Sequence, residues 1–455
     1  TPTNEVHEIS TDNVFSTEIL PMSTYIKMQK IPNSKPKTLE THITLTPKRY
    51  TMGSGVDTAN PRKKLVDVAE KSLEYTIHVT DSENNGFDKL LIYDSNDLDN
   101  CLVELKKGEW SKIITEKFNI EGKSIEGTFM FKLIELSPDG EIVTLFSTHI
   151  MPTTGFTYPD DLGKKLIDKF GGFIQNPGFY PKIFDSIDDD TFLELMEYQN
   201  KWFANSTNYL MENNDWSLLF LHSHTPDYTA HLYMSKIDPI SNPDPKTREH
   251  YLNLFRRAYK SVDLMIGKIL ESLDNPLVVI VSDHGQIAGH EEIGRINVFG
   301  ILEQSGLLAY KGKSEEDGSS PFDHIAGPSM EADWTKIKAF PQRSCHIYVN
   351  LKGRDPDGIV EAKDYEKTRD EIIAALLEYK HPKTGKNPFS IVIRKEHAKM
   401  MGCYGDKVGD VIYSIKPGYT IDEHGDMLPT AEYGIGSMEA ITIVSGPNIK
   451  HNYKI

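Results

Sequence analysis

Cysteine is scarce in this sequence: 3 among 455 residues, at Cys101, Cys345 and Cys403, with no CxxC spacing. An odd, scattered set supports neither a disulfide framework nor a zinc–thiolate site. Long apolar runs are lacking as well. No stretch reaches the roughly 18 consecutive apolar residues of a membrane span, so none is expected. Positive charge is short: 50 Lys and Arg face 67 Asp and Glu, a formal net charge of −17. Such a field repels polyanions at long range and argues against sequence-independent nucleic-acid binding. A phosphate ester can still bind where metal ions reverse the local field. The first residue is Thr1, and no charged-then-apolar leader pattern follows it. That opening reads as a processed, cloned or cleaved piece, with a lean to a soluble, cytoplasmic setting.

What is present is an ordinary globular composition, long enough for two or three domains. Residues 1–35 are polar, contain Pro and show little periodicity, as an extended lead-in would. From 36 to 150 the texture is alternation with a period of two, in Thr41–Thr46, Leu73–Val79 and Thr128–Leu133, the mark of half-buried strands. Ser137-Pro-Asp-Gly140 is a hairpin turn signal. This stretch reads as an all-β module. After about 155, helices and strands alternate. Asp188-Asp-Asp190 precedes a long amphipathic stretch reaching Met211, acids standing where the helix dipole favours them. A short apolar strand is predicted at Trp216–Leu221. A second long helix carries Phe255, Tyr259, Val262, Ile266, Ile269 and Leu273 at the spacing of one buried face. Leu277–Val281 is an uninterrupted apolar run of the kind covered on both faces in parallel α/β sheets, and Ala440–Val444 again reads as a buried strand. Residues 312–420 form a further α/β segment with a helix near Asp364–Tyr379.

Three short segments carry chemistry. Asp227-Tyr-Thr-Ala-His231 follows the first predicted strand. If it is helical, Asp227 and His231 share a face and can reach one cation; alone, Asp-x-x-x-His also describes a helix cap with a flanking His. Ser282-Asp-His-Gly285 ends the Leu277–Val281 strand, where ligand sites of open α/β sheets gather. Asp283 and His284 there are costly as core residues without a partner; the bland alternative is a turn with a solvated His. His424-Gly425 lies in a loop before the last strand, and a lone loop His is ordinarily solvated. Together, two carboxylates and three imidazoles suit a pair of divalent cations that clamp the attacking and leaving oxygens of phosphoryl transfer. The mixed His and carboxylate set points to zinc first and manganese second.

These motifs, in this order, resemble the alkaline phosphatase superfamily, in its type I phosphodiesterase and nucleotide-pyrophosphatase-like branch of phosphohydrolases and phosphomutases. Gly108-Glu-Trp-Ser111, Asp333-Trp-Thr335, Val349–Arg354, Asp357–Val360 and Ile443–Pro447 extend the likeness across most of residues 100–447. The resemblance implies an α/β core with a mostly parallel sheet flanked by helices, an inserted all-β module and a second α/β insert. The corresponding expected divisions are a lead-in at 1–35, the β-rich module at 36–150, the core at 151–311, the insert or cap at 312–420 and a return to the core at 421–455. It implies one metal on Asp283 and His284 and another on Asp227, His231 and His424. The family's first strand, ending in a metal-binding Asp and followed by a Thr or Ser nucleophile, has no match here. The chain therefore resembles a member without its N-terminal segment, which a separate piece would have to supply.

The expected activity is metal-dependent hydrolysis of a small-molecule phosphate ester, phosphodiester or phosphomonoester. Phosphomutase chemistry shares every motif, and a non-catalytic protein that binds or assembles through its β module is the alternative outside enzymes. The Cys-x-Pro-x-Arg signature of sulfatases does not occur. Around the motifs, His290 can touch the site or be a loop residue. His222 and His224 can orient ligands or face solvent. Arg354 can fork onto a phosphate or an acidic side chain. Trp110 reads as a core residue of the β module. The sequence leaves the substrate and the oligomeric state open.

Overall fold

The computed structural model describes residues 28–45, 72–174, 187–286, 296–310, 332–416 and 440–450, isolated positions apart, plus a few short segments elsewhere. It is a mixed α/β chain that divides into two compact units. One comprises residues 1–52, 63–226 and 256–273; the other, residues 53–62, 227–255 and 274–455.

In the first unit the alternating runs become strands β1 (Lys37–Leu45), β2 (Leu73–Asp81), β3 (Lys89–Asp94) and β4 (Asp97–Leu105). They form an antiparallel sheet in the order β4-β3-β2-β1, with Gln29–Lys30 on the outer edge of β1. Leu45, Ile77, Leu90 and Ile92 are wholly buried, each side chain contributing about 1.5–3 kcal/mol from burial. Strands β5 (Ile114–Ile120) and β6 (Lys123–Phe129) pair with each other, as do β7 (Phe131–Leu136) and β8 (Val143–Ser147). The Thr128–Leu133 run, expected as one half-buried strand, is thus divided between two strands in different sheets. All six of its residues are buried. Local alternation cannot register a change of sheet at Met130, because both sides of that junction are covered. The β7–β8 turn is as expected: Gly140 N–H donates to Ser137 O at 2.8 Å. Its φ is 74°, and a Cβ would stand 2.4 Å from Leu39 Cδ1, so only glycine fits.

Helices α1 (Asp161–Phe170) and α2 (Asp189–Asn213) follow. Asp188 caps α2, its side chain accepting from Thr191 N–H at 2.6 Å, as the acidic cluster implied. Helices α3 (Thr225–Ile237) and α4 (Pro245–Leu270) come next. Along α4, Phe255, Ala258, Met265 and Ile269 are buried, whereas Tyr259, placed on the buried face by the sequence pattern, is 53% exposed. The Trp216–Leu221 segment belongs to no strand ladder among the described residues, and Leu218 and Phe220 are 86% and 87% exposed.

The second unit contains β9 (Val278–Val281), β10 (Gly285–Gln286), α5 (Val298–Gln304), β11 (Ala339–Gln342), β12 (His346–Val349), α6 (Tyr365–Glu378), β13 (Phe389–Arg394), β14 (Val411–Ile415), β15 (Gly436–Ser437) and β16 (Thr442–Ser445). Antiparallel strands run in the order β11-β12-β14-β13. Ile347, Val349, Ile372, Leu376, Val411 and Ile415 fill the core between this sheet and α6.

The ladders between strands of the described residues are antiparallel throughout. The expected mostly parallel sheet is not seen there. Strand β9 pairs with β16, Val279 opposite Val444, and Val279 and Val281 are 56% and 60% exposed. An unbroken β-branched run specifies a strand that tolerates apolar cover on both faces. It carries no information about the direction of its neighbour, which the connecting chain sets.

Candidate metal centre

Helix α3 brings the first pair of expected ligands together. Its buried side is formed by Thr229, Ala230 and Tyr233, and Tyr233 packs against Tyr251 of α4, ring centroids 5.2 Å apart. With that face fixed, Asp227 stands in the first turn, where the helix dipole favours an anion, and His231 one turn on. Asp227 Oδ1 and His231 Nε2 lie 3.4 Å apart, with the side chains 27% and 12% exposed.

The second pair follows β9. Ser282 anchors this strand end: its N–H donates to Ile441 O at 3.1 Å, and its Oγ accepts from Ile441 N–H at 2.9 Å. Asp283 accepts from its neighbour's backbone, His284 N–H to Oδ1 at 3.2 Å, and its side chain is 85% exposed. His284 Nδ1 lies 2.9 Å from Gly285 O. A carbonyl only accepts, so Nδ1 donates, and in the neutral imidazole the lone pair is then on Nε2, the tautomer a metal ligand requires.

A residue the sequence reading passed over joins the two segments. Gln286, on β10 two positions after His284, donates from Nε2 to Asp227 Oδ1 at 2.7 Å. Strand β10 is held by pairing with β15, Gln286 opposite Gly436. The only signal in the sequence was a polar side chain directly after Ser282-Asp-His-Gly285.

His424 and His290 lie outside the described residues. Among those described, no three His, Cys, Asp or Glu side chains gather as a metal-holding group; Asp227–His231 and Asp283–His284 stand as two pairs. Their donor sets, a carboxylate and an imidazole in each, suit a borderline divalent cation. The Oε1 atom of Gln286 is buried without a hydrogen-bond partner among the described residues, a polar atom left for an occupant. The residues present fit the expected metals.

The neighbouring candidates resolve differently. The rings of His222 and His224 are 4.3 Å apart, and both residues are exposed. Arg354 forks onto an acid rather than standing ready for phosphate: Nη1 and Nη2 each donate to Asp410 at 2.9 Å. Trp110 is half-buried, packs edge-on against Phe146 and donates from Nε1 to Glu194 on α2 at 2.6 Å.

A family model described as type I phosphodiesterase / nucleotide pyrophosphatase matches residues 143–436. The chain belongs to this family. Searches of curated proteins and of solved structures returned no match. The matched span includes α3, β9 and β10 with all four described candidate ligands, and also residue 424. Membership in the type I phosphodiesterase / nucleotide pyrophosphatase family makes the chain a phosphoric ester hydrolase by class, in a family that generally depends on divalent metals. No helix among the described residues is long and apolar enough to cross a membrane.

Proposed function

We propose that this chain hydrolyses small-molecule phosphate esters at a two-metal site. Asp227, His231 and His424 would hold one divalent cation, and Asp283 and His284 would hold part of the coordination sphere of the other. Zinc is the first candidate, since imidazole and carboxylate suit it, with manganese as the competitor. The observation that carries the reading is the convergence of Asp227 and His231, 3.4 Å apart on α3, inside the residues that match the family. When bound, the cations supply charge stabilisation for the phosphoryl oxygens. The protein's own part is to orient the carboxylates, to tie His284 Nδ1 to Gly285 O and to present Nε2.

In this reading the attacking hydroxyl and the remaining carboxylate are groups other than the five ligands named here. The stretch 36–150 is proposed as a β-rich insertion and 312–420 as an α/β cap around an α/β core.

The test is metal analysis of the purified chain after zinc loading and dialysis, alongside Asp227→Ala and His424→Ala. Loss of bound zinc in both variants is expected; unchanged metal content in both would sink the ligand assignment. Turnover of bis(p-nitrophenyl) phosphate compared with p-nitrophenyl phosphate then separates diester from monoester preference. Products formed in the presence of an acceptor alcohol separate hydrolysis from phosphoryl transfer.

A further inference from the structure

We infer that Gln286 is a positioning residue that orients Asp227 for its cation and ties the two halves of the metal centre together. The inference rests on the reading of Asp227 as a ligand and adds a residue that the ligand motifs do not contain. Its basis is the 2.7 Å hydrogen bond from Gln286 Nε2 to Asp227 Oδ1, which joins β10 to the first turn of α3.

The chemistry of that contact suits a ligand's support. A carboxylate on the first turn of a helix has several rotamers, and a ligand held in one of them binds its cation with less ordering cost. An amide donor fixes the carboxylate without neutralising it. A lysine or arginine at the same place would fix it too, but its positive charge would compete with the cation for the same oxygen atoms. Gln286 is itself constrained by the β10–β15 pairing, so the orientation passes from backbone to ligand. Its position two residues after His284 means that a shift of the strand end bearing Asp283 and His284 moves the donor on Asp227. The buried Oε1 of Gln286, without a partner among the described residues, is a second sign. An unpaired buried acceptor is costly, and a cation nearby, or a donor arriving with it, relieves that cost.

The test uses the full chain, Zn2+ alone as probe, and isothermal titration with thermal unfolding of the metal-free protein. Gln286→Met keeps the side-chain length and removes the donor. It should weaken zinc binding about 10–100-fold, the effect typical of losing a ligand's outer partner, with a metal-free Tm close to that of the wild type. Gln286→Lys keeps a donor and adds charge; it should weaken binding at least as much. The Co2+ absorption spectrum, which reports ligand geometry, should change in both variants. Wild-type zinc affinity in Gln286→Met would overturn the inference. So would a large fall in metal-free Tm accompanied by an unchanged Co2+ spectrum, which marks a purely structural role. Asp227→Ala separates the two readings: if it abolishes tight zinc binding while Gln286→Met does not, Gln286 alone is misassigned. If Asp227→Ala binds zinc as the wild type does, the ligand reading itself fails.

Discussion

Lys132 Nζ lies 2.5 Å from Glu194 Oε2, a pair 62 residues apart in sequence that ties β7 to α2. The lysine side chain is 4% exposed and the glutamate 34%. The ammonium also stands 5.3 Å from the centre of the Trp110 ring, and Trp110 Nε1 donates to the same carboxylate oxygen. One carboxylate therefore compensates a buried cation and a half-buried indole donor together.

Removing it should be costly. Glu194→Ala is expected to destabilise the protein by about 2 kcal/mol, less than the roughly 3–5 kcal/mol of a fully dry pair, because water reaches Glu194. Adding Lys132→Met should recover much of that loss by removing the stranded charge. Urea denaturation of the two single variants and the double variant measures the coupling. A Glu194→Ala variant within about 0.5 kcal/mol of wild type would contradict this account.

The wholly buried Asp410 should dominate acid sensitivity in its sheet. Burial alone would raise its pKa, but the Arg354 fork, the Tyr365 hydroxyl at 2.6 Å and Val349 N–H at 2.8 Å outweigh it and hold the carboxyl below its usual value. The folded pKa thus lies below the unfolded one, near 3.9. The resulting stabilisation is complete above the unfolded pKa and is lost as pH falls through the folded pKa. Asp410→Asn should cost about 3 kcal/mol at neutral pH. It should also flatten the decline of stability below about pH 4. Urea midpoints of both proteins across that range check this; parallel curves would refute it.

Two apolar strands should respond differently to truncation. Ile77 on β2 is wholly buried, and Ile77→Ala should cost about 2–5 kcal/mol. Val279 on β9 is 56% exposed, and Val279→Ala should stay below about 1 kcal/mol. Equal losses in a thermal or urea melt would mean that Val279 is covered in solution.

Much of the local structure was legible from pattern. The Asp188 cap, the Ser137–Gly140 turn and the strands at 37–45 and 73–81 follow from nearest-neighbour chemistry, which a linear sequence displays. So did Arg354 as a partner for an acid, although nothing near it in sequence named Asp410, 56 residues away. The break at Met130 and the exposure of Tyr259 were not legible, because each depends on what packs opposite.

The same division holds at the candidate centre. The sequence by itself determined the reaction class, through the family match over residues 143–436, which encloses Asp227-x-x-x-His231 and Ser282-Asp-His-Gly285, the segments proposed to hold the cations. Only the tertiary structure decided that β9 pairs antiparallel with β16 and that Gln286 holds Asp227. Strand direction and a hydrogen bond spanning 59 residues depend on how the connecting chain returns. That path is settled by packing of the whole domain and leaves no periodic mark in the sequence.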